Sequence, residues 1–345
     1  MYMRTIFTSL IILLNVLTSC GKGGDSPVAP VSTAPTNLTL TATVNADNTG
    51  NVAFKATATN AALYTFDLGN GVNNQVSVDG SISYKYSASG VYTVSVVAKS
   101  ASGKTAVTST VVNVIINRVL VWADEFDVAG APDATKWGFD TGGGGWGNNE
   151  LQNYTNRSDN SVVSGGTLKI IAKKESFGGS NYTSARLLSK GKFSFKYGRV
   201  EARAKLPATA GTWPALWMLG DNFLSAGWPA CGEIDIMEHV GNSLNKIYGT
   251  LHYPDHSGGN AVGGTTMITN AATEFHKYAM EWTDTNIKFY VDDVLFFTFA
   301  NTTAMPFNQN FFLIVNQALG GGLGGTIDPA FTSATYEVDY IRVYQ

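Results

Sequence analysis

The stretch Gly232 to Gly241, GEIDIMEHVG, carries three carboxylates, Glu233, Asp235 and Glu238, threaded through Ile234, Ile236 and Met237. Carboxylates that share a surface can supply the acid, the base and the nucleophile for breaking an acetal bond. On a strand, side chains alternate faces, so Glu233 and Asp235 share one and Glu238 falls on the other. Two arrangements answer to that spacing. In one, Glu238 closes the strand and faces solvent, and the first two acids decorate a surface. In the other, a β-bulge at Ile236–Met237 adds a residue without a pleat and returns Glu238 to the face of Glu233 and Asp235. The bulged form sets the two glutamates roughly as i and i+4, with Cα atoms about 13 Å apart at ~3.3 Å per residue. Leaning together by roughly 3–4 Å each, their carboxyls come to about 5–6 Å, close to the ~5–5.5 Å of a retaining glycosidase. Asp235 lies between them and tunes both through like charge.

Other chemistries lack their residues. The glycine runs at 142–145 and 320–325 have no Gly-Lys-Ser/Thr ending and no following helix, so neither is a phosphate loop. They read as turns that approach a ligand or a tight sheet edge. The four histidines, 239, 252, 256 and 276, form no HExxH pattern, and Pro254 breaks any helix that would pair His252 with His256. No Gly-x-Ser-x-Gly elbow is present. Cys231, next to the acids, has no histidine close in sequence ahead of it and reads as a small buried hydrophobe. A net charge of -3 with 14% charged residues gives no electrostatic case for nucleic acid.

The elements that must position the acids are short and β-rich. The chain has 345 residues, with 12% aromatics and 37 glycines, in runs broken by Gly, Asn and Asp. No amphipathic helix of ten or more residues is expected beyond the N-terminus. There, Arg4 and IFTSLIILLNVL end in LTSC, which resembles a bacterial lipoprotein signal over residues 1–19, with Cys20 lipidated. That resemblance implies a lipid-anchored protein of the bacterial cell envelope, at the outer membrane or cell surface, and otherwise a secreted one. With Cys20 lipidated, Cys231 has no partner for an intrachain disulfide. Residues 20–33 read as a flexible linker. About seven strand-like runs follow over 34–116 and suggest a small β-sandwich. Phe66-Asp67-Leu68-Gly69-Asn70-Gly71, followed by Tyr86, Gly90, Tyr92 and Val94, resembles the immunoglobulin-like PKD domains, departing at Leu68 and Asn70. With every tryptophan at 122 or later, this module reads as a spacer rather than a glycan binder.

From 118 to 345 the texture changes. WGNNELQNYTNR, the long run YTSARLLSKGKFSFKYGRVEARAKLPATAGTWPALWMLG, GWPACGEIDIMEHVG and VDYIRVYQ stand in order. Together they resemble family 16 glycoside hydrolases, in the bulged, laminarinase-like branch with its Glu-x-Asp-x-x-Glu signature. The resemblance implies a β-jelly-roll sandwich with a glycan cleft and an endo-acting, retaining β-1,3-glucanase. Glu233 would be the nucleophile, Glu238 the acid/base and Asp235 the electrostatic helper. Glu238 then needs a raised pKa, which the charge of the other two acids would provide. Trp213 and Trp217, at i and i+4, would share one strand face and wall the sugar subsites. Arg186, Asn149, His252 and Asn316 match polar positions that line the cleft in relatives, and Trp228 and Trp146, near Gly-rich turns, are read as further cleft residues. Asp339 matches the aspartate that holds a structural calcium in relatives, and catalysis needs no cofactor. A monomer acting on β-glucan is expected. The same acids serve mixed-linkage glucan or galactans such as agar and carrageenan, and a non-catalytic glycan binder is the third reading.

Overall fold

The computed structural model describes residues 33–345. The signal segment, Cys20 and the linker through residue 32 lie outside the described residues. Among the described residues no helix is long and apolar enough to cross a membrane. The helical segments there, such as Phe223–Ala226 and Gly321–Gly324, have only three or four residues.

Thr36–Val44, Asn51–Thr59 and Ser81–Lys85 pair as a three-stranded sheet. Leu63–Asp67, Gln75–Ser77, Gly90–Lys99 and Thr105–Val114 make a four-stranded one. Alternation sorts their side chains. Val52, Phe54 and Ala56 of the first sheet meet Phe66, Val94, Val96 and Val112 of the second in one apolar core. Tyr86 is fully buried, stacks on Tyr92 with ring centres 4.1 Å apart, and donates its hydroxyl to the Leu68 carbonyl at 2.9 Å. The tyrosines in the PKD-like motif therefore close this sandwich.

The rest of the chain is a jelly-roll sandwich of a ten-stranded and a seven-stranded sheet. In the seven-stranded sheet the order is Val262–Met267, Lys246–His252, Glu233–His239, Thr212–Gly220, Phe311–Leu319, Arg186–Leu188 and Gly138–Asp140. One face contributes Leu216, Met218, Ile234, Leu251, Leu313 and Val315 to the core, against Leu168, Val200, Tyr278, Trp282 and Tyr336 of the other sheet. Gly249 and Gly264 oppose each other on adjacent strands, and a Cβ on Gly264 would come within 2.6 Å of Phe297. Only glycine lets that corner close so tightly. In the larger sheet, Ser333–Tyr344 lies between Thr167–Phe177 and Gly198–Lys205 and also pairs with Leu120–Asp124. Between the two sandwiches, Ser87 Oγ donates to Asp284 at 2.9 Å, and Arg118, where the larger one begins, donates to Glu281 at 2.7 Å.

Candidate active site

The strand Glu233–His239 contains the bulge. Against Lys246–His252, Glu233 faces His252 and Asp235 faces Thr250, but Glu238 faces Tyr248. Against Thr212–Gly220, Asp235 faces Trp217 and Glu238 faces Ala215. Three residues on the acid strand thus span two on each neighbour. Ile236 and Met237, adjacent in sequence, both enter the core. That resets the phase, and Glu238 rejoins Glu233 and Asp235 on the outer face. The apolar residues between the acids anchor this strand, because they cannot leave the core without exposing it.

Each carboxylate has a defined partner. Trp228 Nε1 donates to Glu233 Oε2 at 2.9 Å, and Trp213 Nε1 donates to Glu238 Oε1 at 2.9 Å. Thr250 Oγ1 donates to Glu238 Oε2 at 3.2 Å. His252 Nε2 lies 3.1 Å from Asp235 Oδ2 and 3.7 Å from Glu233 Oε1. Asp235 and Glu238 are buried, at 4% and 8% exposure.

All three acids hold their protons more tightly than free carboxyls. Burial leads for Glu233, reinforced by Asp235 and Glu238 and opposed by His252 and Trp228, and its pKa is pushed up to about 8. Asp235 is raised well above the ordinary range by burial and by the charge of Glu238. Glu238 is raised by burial, against the bonds from Trp213 and Thr250 and the field of His252. Desolvation leads for Glu238, and the like-charge repulsion expected from its neighbours acts within the same cluster, where the Glu238 charge raises Glu233 and Asp235. At this spacing the acids titrate as a cluster and share their protons.

Across the sheet from Glu238, the register runs through Ala215, Asn316, Arg186 and Asp140. Trp217 and Trp213 stand on this same face, as their spacing predicts. Arg186 is held between two rings, its Cζ 4.7 Å from the centre of Trp217 and 5.0 Å from that of Trp146. Its Nε lies 3.1 Å from Asp140. Trp228 is 51% exposed beside Glu233 and His252, with its ring 5.8 Å from the imidazole. The surface therefore offers aromatic faces for sugar C–H groups beside polar groups for hydroxyls.

Some expected positions carry different work. Asn316 is buried, accepts from Trp217 Nε1 at 2.7 Å and donates to Tyr154 at 2.9 Å, so it braces the floor of the site. Asn149 is exposed in a left-handed turn at φ 59°, with its side chain free to reach a ligand. Sequence reasoning did not single out Thr250, Asp140 or Tyr154. Thr250 lies two residues before His252 on a strand, which places it on the same face and is the one local signal available.

Cys231 is buried and free, and burial ahead of the Glu233 charge pushes its thiol up to about 11, in keeping with a packing role. Glu233, Asp235 and His252 offer ligand atoms within 4.8 Å of one another, a set the histidine spacing alone did not suggest. Asp339 fits the expected calcium poorly. Arg203 Nη1 donates to its carboxylate at 2.6 Å, so a calcium ion there would have to displace a guanidinium.

Residues 148–342 match the glycosyl hydrolases family 16, and residues 28–113 match the PKD domain. The chain is 49% identical over 242 residues to the beta-glucanase of Rhodothermus marinus, an alignment that spans 66% of this chain and 85% of that protein. The laminarinase structure from Rhodothermus marinus superposes with a TM-score of 0.64 at 48% identity, over 66% of this chain and 98% of that one. A structure from Zobellia galactanivorans in complex with laminaritriose and laminaritetraose gives 0.62 at 46% identity, over 66% and 99% of the two chains.

Proposed function

The chain belongs to glycosyl hydrolase family 16, and on that premise we propose that it is an endo-acting, retaining hydrolase of laminarin-type β-1,3-glucan. The observation that carries this reading is the bulge that brings three acids, two of them buried, to one face beside Trp213, Trp217 and Trp228.

In the first step, Glu233 reacts as its carboxylate, the proton shared by the cluster resting on Asp235, and one of its oxygens attacks the anomeric carbon while Glu238 gives its own proton to the departing glycosidic oxygen. Trp228 holds Oε2 of Glu233, which orients the carboxylate for in-line attack. Desolvation shifts Glu238 toward its protonated form, the direction the acid role demands. In the second step, Glu238, now a carboxylate, takes a proton from water. The hydroxide formed attacks the glycosyl ester and restores Glu233. Asp235, beside both glutamates and His252, holds cluster protons near the nucleophile. Trp213 and Trp217 support the sugar rings.

Wild-type protein should release new reducing ends from laminarin, and Glu233→Ala should abolish that release. Glu238→Ala should lower kcat/KM by about 10²–10⁴-fold on laminarin and much less on a substrate whose leaving group needs no proton, while kcat falls on both because the second step still needs the base. Intact laminarin with the wild type would overturn the reading. Product profiles on mixed-linkage glucan, agar and carrageenan separate the alternative substrates. Laminarin binding without hydrolysis would favour a glycan-binding role.

The N-terminal spelling supports a lipid anchor at Cys20 in the cell envelope. Cys20→Ala should move the protein from the membrane fraction to the soluble one. The small sandwich is read as a spacer and the chain as a monomer, which light scattering checks.

A further inference from the structure

Glu150 is a buried carboxylate, 8% exposed, whose hydrogen bonds come from uncharged side chains. The bonds around it have directions that can be worked out from their ends. The backbone N–H of Leu319 donates to Gln152 Oε1 at 2.8 Å, which fixes the Gln152 amide. Gln152 Nε2 must then face Glu150 Oε2, and it donates there at 2.6 Å. Tyr154 gives its hydroxyl proton to the same oxygen at 3.1 Å. Its lone pair is left to accept from Asn316 Nδ2 at 2.9 Å. That turns Asn316 Oδ1 toward Trp217 Nε1, which donates to it at 2.7 Å. An amide N–H begins the relay and an indole N–H ends it, and neither can act as an acceptor.

We propose that Glu150 is a positioning residue for the floor of the glycan site, orienting the Trp217 indole through Tyr154 and Asn316 without touching sugar. Burial, with the Glu150 charge beside it, holds the Tyr154 hydroxyl well above the phenol range, so this proton stays in place. Trp217 in turn supports Arg186 by ring contact. The effect on substrate rests on the glycan-hydrolase reading above, whereas the orientation of Trp217 does not.

The test uses the full chain with ¹⁵N-labelled indoles, the Trp217 N–H resonance being assigned with Trp217→Phe. Glu150→Ala should move that resonance and leave those of Trp213 and Trp228, which bond the acids, in place. Tyr154→Phe should reproduce the shift, and the double variant should add nothing to it. Glu150→Gln keeps an acceptor oxygen toward Tyr154 and should restore the wild-type position. On laminarin, Glu150→Ala and Tyr154→Phe should each raise KM about fivefold with kcat nearly unchanged. A Trp217 resonance unmoved in both variants, or additive shifts, would overturn the relay. If Glu150→Ala does not fold, Glu150→Asp, whose shorter side chain withdraws the acceptor from the Tyr154 hydroxyl, takes its place beside Tyr154→Phe. If the wild type leaves laminarin intact, the hydrolase reading fails while the resonance still judges this one.

Discussion

Glu233 is the acid whose protonation most directly links catalysis to stability. Its ordinary pKa is 4.5 and its folded value is about 8. Below pH 4.5 the carboxyl is protonated in both the folded and the unfolded chain, and its contribution to stability is fully present. As pH rises, the unfolded chain ionises first while the fold retains the proton, so stability drains away until about pH 8. Gln keeps the oxygen that Trp228 needs and has no proton to lose. Thermal melts of Glu233→Gln should therefore match the wild type at pH 4 and exceed it by about 2–4 °C or more at pH 8. A constant offset across that range would contradict the shift. His239 shows the opposite linkage. Buried with neither ring nitrogen bonded among the described residues, its pKa is lowered to about 4, so it draws stability down as pH falls below its ordinary 6.5. The acids, the Trp213–Trp217 pair and Arg186 were legible because local spacing and spelling carry them. Tyr154 was not, because it meets Asn316 across 162 residues and no local period records such a pairing.

A strand read by itself announces a phase problem but not its solution. The three-residue step from Asp235 to Glu238 could be read as a bulge or as a strand end. The register of both neighbours decides it, and they are distant segments whose alignment the acid strand does not encode. Deleting Ile236 would restore strict alternation, with Glu233, Asp235 and Glu238 at i, i+2 and i+4 and all three still on the outer face. That variant should keep more activity than Glu238→Ala, which loses ~10²–10⁴-fold, and should melt earlier because a core side chain is lost. Ile236→Val keeps the extra residue and should retain activity and a melting point near wild type. Activity in the deletion variant no higher than that of Glu238→Ala would show that a single extra residue at the bulge does not account for the face of Glu238. The same reasoning explains why the seven-stranded sheet has apolar residues on both sides of its centre. Its outer face carries Leu188, Leu219, Phe312 and Ile314 around Cys231, so hydrophobicity alone would not tell which side holds the site.

At the scale of the molecule, two sandwiches with separate cores are bridged by the hydrogen bond from Ser87 to Asp284. Strand texture and turn signals made both legible, since each depends on short alternating runs. The pairing order of the large sheets was not, because it is set by contacts between distant segments. Under the spacer reading, residues 118–345 alone should keep the kcat/KM of the longer chain on soluble laminarin and its retention on insoluble glucan. Loss of that retention would assign the small sandwich a binding role. One placement also bears on how the protein comes to be made. The strand Ser333–Tyr344 sits amid partners synthesised long before it, next to Leu120–Asp124, Thr167–Phe177 and Gly198–Lys205. Until that strand leaves the ribosome, those edges have no neighbour and the large sandwich cannot close, whereas the small one is already complete. Nascent chains stalled ahead of residue 333 should therefore yield a protease-resistant piece spanning 36–114 and nothing resistant beyond it. A resistant large fragment from such chains would show that the sheet can close without its central strand.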